Sequence, residues 1–101
     1  VTALSGSGPA YFAYMEEAMA EAGVKLGLKP DVARLLAEQT MYGTAKFLRE
    51  SGMPLTPFIN GVCTKGGTTA AGMEKLASSD FKDVVAKTLE AAANRSKELA
   101  K

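Results

Sequence analysis

The stretch Val62-Cys63-Thr64-Lys65-Gly66-Gly67-Thr68-Thr69-Ala70-Ala71-Gly72 sets a bare glycine pair among three threonines, immediately before an apolar helical run. Glycine lets the backbone approach a ligand and adopt positive φ, and the first turn of a helix offers unpaired N–H groups at the positive end of its dipole. A carboxylate or phosphate fits such a place. A plain tight connection between two helices uses the same glycines. Thr64, Thr68 and Thr69 supply more hydroxyls than the capping of one helix requires, whereas the P-loop pattern is missing because Lys65 precedes the glycines instead of following them.

Outward from this segment the periodicity is helical. Towards the N-terminus, Pro9 carries the φ favoured at a first helical position, and Phe12, Met15, Met19, Ala22 and Leu26 then recur at three- and four-residue spacing up to Gly27, which is placed to end the helix. Pro30 and Asp31 repeat the start signal for a second helix reaching about Glu50. Its apolar positions Val32, Leu35, Leu36, Met41, Tyr42, Ala45, Phe47 and Leu48 cover more than one stripe, which predicts contact from more than one direction and a central place. Ser51, Gly52 and Pro54 end it, and Thr56-Pro57 opens a short helical piece through Phe58, Ile59 and Val62.

Beyond the glycine pair, Thr68 or Thr69 begins a helix with Met73 and Leu76. Ser78-Ser79-Asp80 closes it and caps the last helix, which carries Phe81, Val84, Val85, Leu89, Ala92 and Leu99. No window alternates as a strand would, so the expectation is an all-α fold of about five helices.

Length and composition bound the rest. The chain has 101 residues, enough for about one domain, at a size where a lone core gives modest stability and a second chain is expected to share it. The formal net charge is +1 and the basic residues are scattered, which leaves no electrostatic footprint for nucleic acid. With no histidine, Ser–His and Cys–His catalysis and ordinary zinc chemistry have no place in this chain alone, and no metal site is expected. Cys63 is the single cysteine, so there is no internal disulfide; an inert, half-buried thiol is expected and a reducing cytoplasm is compatible. No apolar run approaches the roughly 18 residues of a membrane span.

The segment Ser5-Gly6-Ser7-Gly8-Pro9-Ala10-Tyr11 invites a dinucleotide reading that its surroundings refuse. That fingerprint needs a preceding strand and a third glycine where Tyr11 stands. A flexible leader and helix cap remains the plain reading of these residues.

Taken together, Thr2 to Tyr11, the Gln39-Thr40 and Gly43-Thr44-Ala45 of the second helix, and Val62 to Gly72 resemble the Δ1-pyrroline-5-carboxylate reductases over nearly the whole chain. The resemblance covers the C-terminal, all-helical part of such an enzyme, of the 6-phosphogluconate dehydrogenase C-terminal-like type. It implies one dimerisation and substrate domain over residues 1–101, with the NAD(P)H-binding Rossmann domain outside it. Such an enzyme moves a hydride from NADPH or NADH to the C=N carbon of 1-pyrroline-5-carboxylate, giving proline.

By the same resemblance, Thr64, Gly66, Gly67 and Thr68 hold the substrate carboxylate. Thr69 is the catalytic hydroxyl at the ring nitrogen, and Ser5, Gly6, Ser7, Gly8 and Pro9 lie near the nicotinamide. Implied partners are the substrate or product and a second copy in an intertwined homodimer, with room for higher oligomers, and neither nucleic acid nor membrane; the implied location is cytoplasmic. The family commonly has proline where Lys65 stands, so lysine here restores an N–H and adds a charge in a loop that proline would stiffen. Two other readings are a plain helical dimerisation module and the substrate domain of a related reductase acting on another small acid.

Overall fold

The structure, a computed structural model, describes residues 2–65 and 67–100, with Lys65 described in its backbone only. The described residues form a π-helical turn, Thr2–Gly6, and five α-helices: α1 Gly8–Lys25, α2 Pro30–Ser51, α3 Leu55–Lys65, α4 Gly67–Ala77 and α5 Phe81–Leu99. No strand occurs among them. The all-α expectation and the helix count hold, and most boundaries fall within a residue or two of where proline, glycine and hydroxyl residues place them.

The punctuation works through backbone chemistry. Pro30 opens α2 behind an extended Lys29, and Asp31 Oδ1 accepts the Val32 N–H at 3.0 Å, meeting one of the orphan donors of the first turn. Gly27 follows α1 at φ 110°, and Gly52 closes α2 in the left-handed conformation at φ 67°, donating its N–H to the Leu48 carbonyl at 3.0 Å. Between α4 and α5, the Ser78 and Ser79 hydroxyls donate to the Lys75 and Leu76 carbonyls, and Ser79 Oγ accepts the Phe81 N–H at 3.2 Å. Asp80 occupies the N-cap of α5 with no side-chain capping bond, so the seal expected of Ser78-Ser79-Asp80 is made by the serines.

The residues before Pro9 differ from the expected flexible leader. They make a single π turn, and α1 starts one residue earlier than expected, at Gly8. Pro9 sits in the first turn, where its missing N–H costs nothing, and Ser7 at the N-cap makes no side-chain capping bond.

The chain groups into two compact units, Ser5–Gly52 and Met53–Lys101 together with Val1–Leu4. In the first, α1 packs on α2 as a helical hairpin whose crossing is built from small residues. Ala33 is 3% exposed, and a Cβ built on Gly23 would lie 3.4 Å from the Ala33 Cβ and 3.3 Å from Leu28 Cδ1. Arg34 ties the hairpin at its surface, with Nε 3.9 Å from Glu16 on α1 and Nη2 3.6 Å from Glu38 on α2. In the second unit α3 packs on α4, while α5 touches neither of them more than marginally.

What the hairpins leave uncovered matters more than what they cover. Ala33 is the only buried hydrophobic side chain among the described residues. Phe12 and Leu35 are each 63% exposed, and Met19, Leu36, Tyr42, Phe47, Phe81 and Val84 are exposed as well. Side chains whose spacing predicts a core are therefore left largely exposed by their own unit. The chain exposes 8230 Å², whereas even two separate globules of half its mass each would expose about 6,600 Å² by the size scaling of folded monomers.

Three outcomes follow for stability. Ala33→Leu overpacks the α1–α2 crossing and costs about 1–3 kcal/mol in denaturant unfolding. Gly52→Ala forces a Cβ into the left-handed region and costs about 1–2 kcal/mol in the same experiment. The unfolding midpoint of the chain rises with its concentration, because its apolar faces are covered only by association.

Candidate functional site

The glycine-threonine segment folds more tightly than its sequence suggests. In place of a loop from Thr64 to Thr69, Thr64 and Lys65 belong to α3, and Gly67, Thr68 and Thr69 belong to α4. Gly66 lies outside the described residues, as does any part it plays in holding a ligand.

Among the described residues α3 runs to Lys65 and α4 opens at Gly67. The last carbonyls of α3 lack partners within that helix, and so do the first N–H groups of α4, those of Gly67, Thr68, Thr69 and Ala70. No acidic residue stands in the first turn of α4, so its positive end is not neutralised by the helix itself. Gly67 and Thr68 are exposed, and nothing lies within 4 Å of a Cβ built on Gly67. A small anion can therefore reach these amides directly.

The three threonines are not equivalent. Thr69 is half-buried in the first turn of α4, and Thr68 beside it is exposed; among the described residues no hydrogen bond claims either hydroxyl. Thr64, in α3, is exposed and donates its hydroxyl to the Asn60 carbonyl one turn back, at 2.9 Å. Sequence reasoning counted Thr64 among the ligand donors and passed over Asn60. The signal was the four-residue spacing, because a helical threonine reaches the carbonyl four residues before it. Cys63 is a free, half-buried thiol in the last turn of α3, as expected.

At the other end of the chain, Ser5 and Gly6 lie exposed in the π turn, Ser7 is half-buried and Gly8 is buried at the start of α1. A single turn of this kind can stand beside the end of a dinucleotide. It has neither the strand nor the helix-opening glycine loop needed to hold the pyrophosphate.

The α1–α2 hairpin carries a groove of about 410 Å³ lined by Ala13, Glu16, Glu17, Glu21, Val24 and Arg34, among others. Three carboxylates against one guanidinium repel an anion, and Arg34 is already shared between Glu16 and Glu38. The first turn of α4 carries no acid and lacks this repulsion. Among the described residues no three metal-binding side chains come together, and no helix is long and apolar enough to cross a membrane.

Comparison with known proteins agrees with this reading of the fold. Residues 1–99 match the family described as pyrroline-5-carboxylate reductase dimerisation. The chain is 43% identical over 101 residues to a pyrroline-5-carboxylate reductase from Synechocystis sp., spanning 100% of this chain and 38% of that protein. It is 40% identical to pyrroline-5-carboxylate reductase 3 of Rattus norvegicus, spanning 99% of this chain and 36% of that one.

Among solved structures, a pyrroline-5-carboxylate reductase from Coxiella burnetii superposes with a TM-score of 0.94 at 42% identity, over 99% of this chain and 37% of the other. The Plasmodium falciparum pyrroline carboxylate reductase, solved with NADP bound, gives a TM-score of 0.91 at 35% identity, over 99% and 38%. The chain thus spans a little over a third of the length of the relatives it matches.

Proposed function

The chain belongs to the pyrroline-5-carboxylate reductase dimerisation family, and from that premise we propose that it is the dimerisation and substrate-binding part of an NAD(P)H-dependent reductase that makes proline from 1-pyrroline-5-carboxylate. The observation that carries the reading is the first turn of α4, which opens at Gly67 with no acid in it. It presents unneutralised first-turn amides, beside the Thr69 side chain, to a small anionic ligand.

The chemistry divides between two sources. The nicotinamide, when bound, supplies the hydride for the C=N carbon; its dinucleotide body is held by a domain outside this chain, with Ser5, Gly6, Ser7, Gly8 and Pro9 near the reactive ring. This chain fixes the other reactant. The N–H groups of Gly67 and Thr68 hold the substrate carboxylate, the anion for which a helix start is suited. That anchor sets the ring so that its nitrogen meets Thr69, whose half-buried hydroxyl orients the nitrogen as it gains electron density during hydride addition. No strong base is needed at that position, so a chain without histidine loses nothing.

A second copy completes the fold. Covering the surface in excess of two half-mass globules would bury about 1,600 Å² per chain, or about 3,200 Å² for the pair, which lies within the range of obligate homodimers. The apolar residues of α1, α2 and α5 are the material for that interface, and the assembled enzyme works in the cytoplasm.

In the full-length enzyme, Thr69→Ala lowers kcat for 1-pyrroline-5-carboxylate by about 10²-fold, the usual loss on removing one donor to a developing charge, and leaves the KM for NADPH within about twofold. A variant with normal turnover and weakened NADPH binding rejects the role given to Thr69. The 101-residue chain alone forms a dimer in sedimentation velocity and oxidises no NADPH; a stable monomer at micromolar concentration refutes the interface.

A further inference from the structure

We draw no further inference here: the strongest candidate, the groove of the α1–α2 hairpin lined by Ala13, Ala20 and Val24 together with Glu16, Glu17 and Glu21, is a cluster of carboxylates beside a narrow apolar strip, and nothing in the structure shows what covers it.

Discussion

Apolar surface without a partner is the constraint on which the rest of this structure depends. Almost half of the residues are hydrophobic, yet in the described chain only Ala33 is a buried one. In the α1–α2 hairpin a Cβ built on Gly23 would lie 3.4 Å from that of Ala33, while large side chains such as Phe12 and Leu35 are exposed. Small residues at a crossing bring helix axes close but bury little area, so this hairpin cannot supply the hydrophobic free energy that offsets the ordering of its backbone. Association has to supply it. Membership of a dimerisation family and the excess of exposed area are two independent expressions of that requirement.

The first turn of α4 is the second constraint, and it is electrostatic. The positive end of this helix has no acid of its own to neutralise it. The groove of the α1–α2 hairpin has the opposite character, because its carboxylates outnumber its cations.

Much of this was legible in the residues. Pro30, Gly27 and Gly52 act through their own backbone chemistry, which operates wherever the rest of the chain lies, and all three stand where their signals put them. The threonines and glycines at residues 64–69 likewise announced a helix start. The loop between them did not survive, because Thr64 and Lys65 continue α3 where the glycine pair suggested an earlier end. The engagement of Thr64 with Asn60 was overlooked for a related reason: that bond exists only if residue 64 is helical. The π turn at Thr2–Gly6 has no simple residue signature, since it differs from an α turn only in which carbonyl each N–H selects.

The amino-acid sequence by itself determined the helices, most of their ends and the family, because each is a local property of residue type and spacing. Tertiary structure alone decided which apolar residues are covered. Phe12, Leu35 and Phe47 look like core in a helical pattern and lie open in the single chain, since periodicity tells which face of a helix is apolar but not whether the surface that covers it comes from the same chain. It also decided that Thr64 and Lys65 continue α3 and that Gly67, Thr68 and Thr69 begin α4, because where a helix stops or starts depends on how its last turn packs as well as on residue type.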